Sequence, residues 1–376
     1  MIISKIKNFI KLNFPFIAKK LIEFRDTNNL SRKIKSQLNT NLTKQVHGKK
    51  IINIEKGIVN DKTINNFVSY TLRPKVTENI IIESDNYNNK DTAIIIQGSL
   101  KGISEFTQQT IELYIKLFKN SEIVLSTWEN EIHSFPVKKY SDKIKIIVNN
   151  IPKNEPHNIN LQLISTNSAL KYVKKKNIKY CLKTRTDCRI YNKNSLNHLK
   201  NLISVFSIDT EYKHLSSRII SSSIDTRKYR VYGLSDIFIF GETTNLEKYF
   251  EVENYISSLE KHFGKYPCII KETAVINEIF LCARYLKNSN ITLNWELEDW
   301  WKYCGKIFCV VDSSDFDFFW YKYDWKFEQR FIQNYTSDFK QALSFSDWLN
   351  LYNNKSFQFD VSKKEVWRLR DGIIAQ

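Results

Sequence analysis

The sequence predicts an α/β fold, a parallel or mixed sheet covered by helices on both faces, and three observations carry that prediction. Short runs with strand character lie at 93–97, 122–128, 143–148 and 179–184, and the first, Ala-Ile-Ile-Ile-Gln closed by Gly98, is apolar without polar alternation, which is how a strand buried on both faces reads. The runs alternate with segments of helical spacing, as parallel crossover connections require. Each run also ends in polar groups: Gln97, Gly98 and Ser99; Ser126, Thr127 and Trp128; Asn149 and Asn150; Arg185, Thr186 and Asp187. Strand ends of a parallel sheet converge on one rim, so these groups predict a shared ligand crevice there, of the kind that takes nucleotides.

The chain begins with a basic amphipathic segment, residues 1–27. Ile3, Ile6, Ile10, Ile17, Leu21 and Phe24 recur at helical steps with Lys5, Lys7, Lys11, Lys19 and Lys20 between them. Such a helix suits an anionic membrane surface, and equally suits docking on its own domain. Residues 1–50 hold 12 Lys and Arg against 2 Asp and Glu, so +10 of the chain's net +17 lies in them. That concentration, with no nucleic-acid-binding module, argues against nucleic acid as the partner. Residues 28–91 are Asn-rich and irregular and predict a linker or edge segment. The six cysteines form no C-x-x-C pair or zinc spacing and read as reduced thiols. No apolar run reaches the roughly 20 residues of a spanning helix, and no cleavable signal is visible.

The core is expected over 92–290. After the first strand, Phe106, Thr110, Leu113, Leu117 and Phe118 keep helical spacing, with Ser104 as the expected cap. A helix over about 160–175 places Gln162 and Thr166 on one face, with Asn158 or Asn160 to cap it. The strand at 179–184 then delivers Arg185, Asp187 and, two residues on, Arg189. An aspartate at such a strand end suits a cation or a ribose hydroxyl, and an arginine suits a diphosphate. Ser235 and Asp236 precede an aromatic strand closed by Gly241, and an acid beside an apolar strand must be paired or face a cleft. A helix is expected over about 246–259. Glu272 opens a further helix that continues to Leu286, where it serves either as a site carboxylate or as a complement to the helix dipole. From 291 to 376 the chain is rich in Trp, Tyr and Phe and predicts a helical or mixed appendage.

In their order, Ile94–Gly98, Ile123–Trp128, Asn160 with Gln162 and Ser165-Thr166, Lys183–Arg189, and Ser235-Asp236 with Gly241 resemble the WavE family of lipopolysaccharide-synthesis proteins. That family is similar to nucleotide-sugar glycosyltransferases of the GT-A type, and the resemblance covers roughly residues 92–285. It implies a GT-A-like, Rossmann-type sheet domain. The implied activity transfers a sugar from a nucleotide-sugar donor to a glycan or lipid-linked glycan acceptor: lipopolysaccharide, lipooligosaccharide or capsule. The enzyme would sit in the cytoplasm, peripheral on the inner face of the cytoplasmic membrane.

GT-A enzymes usually hold the donor diphosphate through Mn²⁺ or Mg²⁺ on an Asp-x-Asp motif. Here Asp187 matches the final aspartate, but Arg185 stands where the first would be. Either Asp187 carries a metal, or Arg185 and Arg189 neutralise the diphosphate directly. The expected nucleotide pocket is Gln97, Gly98, Ser99, Thr127, Trp128 and Gln162. Proton abstraction from the acceptor hydroxyl is expected of Asp236 first and Glu272 second. The competing readings are a non-catalytic membrane-associated scaffold and a basic nucleic-acid-binding protein.

Overall fold

The computed structural model describes residues 88–152, 158–251, 277–323, 342–354 and 356–359. All of them belong to the second of two compact units, Arg73–Gln376. The basic segment 1–27, most of the linker 28–91 and Glu272 lie outside the described residues.

The four apolar runs form β1 (Thr92–Gln97), β2 (Glu122–Trp128), β3 (Lys145–Asn149) and β4 (Tyr180–Arg185). Every residue of β1 is buried, which is why the sequence shows no polar alternation there. Between these strands lie α1 (Ser104–Leu117), the one-turn α2 (Val137–Tyr140) and α3 (Ile159–Lys175). The expected caps differ in detail. Ser104 is the first residue of α1 and donates to the Ser134 carbonyl at 2.7 Å. Asn158 holds the cap position of α3 in a left-handed conformation, φ 64°, with no side-chain cap bond.

The chain continues through β5 (Cys188–Ile190), α4 (Ser195–Val205), β6 (Ile219–Ser222), β7 (Ile239–Glu242) and α5 (Thr243–Phe250). After residues 252–276, outside the described set, come α6 (Asn277–Asn288), α7 (Leu297–Ile307), β8 (Phe308–Val311), β9 (Phe318–Trp320) and α8 (Phe345–Asn353). Seven strands form one mixed sheet in the order β3-β2-β1-β4-β7-β6-β8. Only β7 runs against its neighbours. β5 and β9 make a separate antiparallel pair.

The aromatic-rich segment expected as an appendage thus supplies β8, the last strand of the main sheet, and β9. Its tryptophans fill the core: Trp300, Trp301 and Trp348 are buried, with indole N–H groups donated to the carbonyls of Arg227, Lys228 and Phe308. Among the described residues no helix is long and apolar enough to cross a membrane.

Candidate active site

β4 runs apolar until Lys183 and then changes character. Lys183 is fully buried, and its ammonium donates to the main-chain carbonyl of Asp236. Burial lowers its pKa to about 8, with the Asp236 charge opposing the shift. At the carboxyl end of the strand, Arg185 reaches across the turn and grips Asp187 in a two-bond fork, Nε to Oδ1 at 2.8 Å and Nη2 to Oδ2 at 3.0 Å. Trp320, brought over by the β5–β9 pairing, donates its indole N–H to Asp187 Oδ2 at 2.9 Å. The Cys188 thiol is 3.6 Å from Oδ1. Burial by itself would raise the Asp187 carboxyl, but the charge and hydrogen bonds of Arg185, with Trp320 and Cys188, hold it below the ordinary value. The Arg185 side chain is 30% exposed against 8% for Asp187. Its Nη1 makes no hydrogen bond among the described residues.

Thr186, between the two, ties this turn to the end of β1. Its N–H donates to the Gln97 carbonyl at 3.0 Å and its hydroxyl to the Ser99 carbonyl at 2.7 Å. The approach is close enough that Gly98 is required. Its φ is +132°, and a Cβ there would stand 2.9 Å from the Thr186 hydroxyl oxygen. Glu131 holds the same loop from the other side, accepting from the Ser99 hydroxyl at 2.8 Å and the Leu100 N–H at 2.6 Å. Beneath the loop, Gln97 Oε1 accepts from Ser165 on α3 at 2.8 Å, and Ser126 donates to the Ser165 carbonyl at 2.7 Å. The loop is therefore pinned to both neighbouring strands and to the helix behind them.

Asp236 reaches the same rim by a different route. Because β7 is antiparallel to β4, with Ile239 opposite Lys183, the residues before Ile239 lie beside the carboxyl end of β4. Asp236 is 4% exposed. Glu278, in the first turn of α6, feels its charge. Burial first, then the carboxylates of Asp236 and Asp225, push the Glu278 carboxyl up to about 7.

The donor set at Asp187 does not fit the divalent cation that the resemblance implies. Both of its oxygens already accept from Arg185, with Trp320 and Cys188 adding to them. Among the described residues no three His, Cys, Asp or Glu side chains cluster in a way that could hold a metal ion.

A family model described as WavE lipopolysaccharide synthesis matches residues 92–375. The chain belongs to that family. The WavE match begins at the first residue of β1 and runs past α8, so the family's span includes the segment that delivers β8 and Trp320, beyond the 92–285 in which the resemblance is legible by eye.

Among solved structures, a nucleotide-diphospho-sugar transferase from Desulfovibrio desulfuricans G20 is similar at TM-score 0.31 and 7% identity, over 70% of this chain and 95% of that one. A cytidylyltransferase from Leptospira borgpetersenii is similar at 0.28 and 16%, over 50% and 74%. A glycosyltransferase involved in glycosylating the major capsid of PBCV-1 is similar at 0.26 and 12%, over 47% and 68%. The WavE membership rests on the sequence match and not on these likenesses. No curated protein matches the chain.

Of the residues expected from sequence, the fold brings Gln97, Gly98, Ser99, Arg185, Asp187 and Asp236 to one rim. Thr127 and Trp128 end the adjacent strand but are buried, and the Thr127 hydroxyl has no hydrogen-bond partner among the described residues. Gln162 is buried on α3 one turn before Ser165. Arg189 does not reach the rim. It is fully buried against α1, donating to the Thr110 hydroxyl and the Phe106 carbonyl at 2.9 Å each, with its guanidinium 4.1 Å from the centre of the Phe106 ring. Two contributors escaped the sequence reading. Trp320 is 133 residues from Asp187 and gave no local signal. Glu278 lies in the stretch that drew attention to Glu272, and only its packing distinguishes it.

Proposed function

We propose that this WavE protein is a glycosyltransferase that moves a sugar from a nucleotide-sugar donor to a glycan or lipid-linked glycan acceptor, lipopolysaccharide, lipooligosaccharide or capsule. It would work at the cytosolic face of the membrane, held there peripherally. The observation that carries the reading is Arg185: a partly exposed guanidinium, fixed by Asp187 at the carboxyl end of β4, with Nη1 still free to donate.

As the donor's anomeric carbon–oxygen bond breaks, negative charge grows on the departing nucleoside diphosphate. A pre-aligned guanidinium stabilises that charge without reorganising. Asp187 then acts as a positioning residue that sets the plane of Arg185, assisted by the Trp320 indole 5.5 Å from the guanidinium. The acceptor hydroxyl oxygen forms the new bond to the anomeric carbon, and its proton passes to a carboxylate. Asp236 fills that role, with Glu278 beside it as a carboxyl that titrates close to neutrality. The loop at Gly98 and Ser99, pinned by Thr186 and Glu131, forms the floor on which the nucleotide lies.

Titration calorimetry of the purified chain against uridine, cytidine and guanosine diphosphates and their sugars tests this. At least one should bind in the micromolar range, and Arg185→Lys should weaken it about tenfold, because lysine keeps the charge but loses the fork. Absence of binding across the panel would leave a non-catalytic scaffold as the better description.

A further inference from the structure

A cavity of about 550 Å³ opens far from this rim. Its wall includes Arg218, Asp209, Glu298, Lys302, Asn353 and Gln358. Arg218 immediately precedes β6, and Gly305 and Lys306, also in the wall, lie in the last turn of α7, which leads directly into β8. Both strands run parallel to β1 and β4, so the cavity sits at the amino ends of the sheet, opposite the Arg185 rim.

Arg218 is the reason to regard the cavity as a site. It is 2% exposed, yet no carboxylate pairs with it among the described residues. Nε donates to the carbonyls of Phe206 and Ser207 at 3.0 Å each, and Nη1 to those of Gly305 and Phe308 at 2.8 and 2.9 Å. Two of these carbonyls lie at the carboxyl ends of α4 and α7, whose dipoles favour a cation. The four carbonyls account for Nε and Nη1 but leave Nη2 with no acceptor among the described residues, and a buried charge with unspent donors is costly unless something completes it. The Tyr352 ring, 4.9 Å away, fixes the guanidinium in place. The rest of the wall is chemically mixed: amides at Asn353 and Gln358 and carboxylates at Asp209 and Glu298 pair with hydroxyl groups, not with an anion.

We propose that this cavity binds a hydroxyl-rich anion, a sugar carrying a carboxylate or a phosphate, with the anionic group on Arg218 Nη2 and the hydroxyls on the surrounding amides and carboxylates. Two sources share that chemistry, an acidic sugar residue of a glycan and a free sugar phosphate. The site stands independently of the transferase reading, because none of its residues belongs to the Arg185 rim.

Calorimetry on the full chain with glucuronate, glucose 6-phosphate, inorganic phosphate and neutral glucose tests it. Glucuronate or glucose 6-phosphate should bind at least tenfold more tightly than both inorganic phosphate and glucose, and the tighter of the two identifies the source. Asn353→Trp, an exposed position that fills the cavity, should abolish this binding and leave nucleotide binding unchanged. Arg218→Lys should weaken it about tenfold, and if that variant does not fold by circular dichroism, Asn353→Trp alone decides. Arg185→Lys should have no effect on it. The proposal is overturned if neither anionic sugar binds at millimolar concentration, if inorganic phosphate binds as tightly as the better of them, or if binding survives Asn353→Trp.

Discussion

Arg185 and Arg189 carry the same group four residues apart and have opposite fates. Arg185 ends a strand whose side chains alternate across the sheet, and it emerges at the rim. Arg189 lies beyond the turn in β5, and its guanidinium passes inward to α1. The charged stretch is legible in the sequence but the different fates of its two arginines are not, since they depend on how the turn at Thr186 and Asp187 redirects the chain. The same limit applies to Glu278, whose carboxyl is pushed up by burial first and then by Asp236 and Asp225, some forty to fifty residues away. That shift makes a prediction with a definite sign. Glu278 binds a proton more tightly in the fold than in the unfolded chain, so its contribution to stability is complete below the ordinary value of 4.5 and is lost as pH rises towards about 7. Melting temperatures of the wild type and Glu278→Gln, measured from pH 4 to 8, should therefore diverge across that window, with the variant the more stable of the two at pH 8. Parallel curves would mean that the carboxyl is not shifted.

At the scale of elements, β1 was legible because a strand buried on both faces is apolar along its length, and β2 to β4 because short runs rich in Ile, Val and Leu recur between segments of helical spacing, although β3 is partly exposed at the sheet edge. β8 and the β5–β9 pair were not. Phe308–Val311 directly follows an amphipathic helix with no intervening turn signal, and Phe318–Trp320 pairs with a strand more than a hundred residues earlier. The rim likewise consists of tertiary contacts: the end of β1, the end of β4 and the loop at Glu131 are held together by Thr186 and Ser99. Gly98 is where these contacts are tightest. Gly98→Ala puts an alanine at φ +132° and drives its methyl group into the Thr186 hydroxyl. A strained backbone of this kind costs on the order of 1–3 kcal/mol. Chemical denaturation should show a loss of that size, and nucleotide affinity should fall with it, because the loop must move away from β4 to relieve the contact. A variant with wild-type stability and affinity would show that the loop is free to adapt.

On the scale of the whole molecule, charge is distributed unevenly along the chain. Residues 1–50 carry a net +10, leaving +7 for the remaining 326. A lysine close to an anionic leaflet contributes about 1 kcal/mol at physiological ionic strength, and the effect decays within a Debye length of about 8 Å. The apolar residues interleaved with Lys5, Lys7, Lys11, Lys19 and Lys20 would add burial at the headgroup boundary. Under the proposed function this segment would be a two-part anchor to the membrane, and among the described residues no helix is long and apolar enough to span it. In sedimentation assays the full chain should bind vesicles containing anionic phospholipid and not neutral ones, and raising salt from 0.1 to 0.5 M should release most of it. Replacing those five lysines by glutamine in the full chain should reduce the partition coefficient by at least a hundredfold while leaving nucleotide binding intact, since the Arg185 rim lies in the second compact unit, Arg73–Gln376. Binding that persists after the replacement, or that is equal on neutral vesicles, would place the membrane contact elsewhere on the chain.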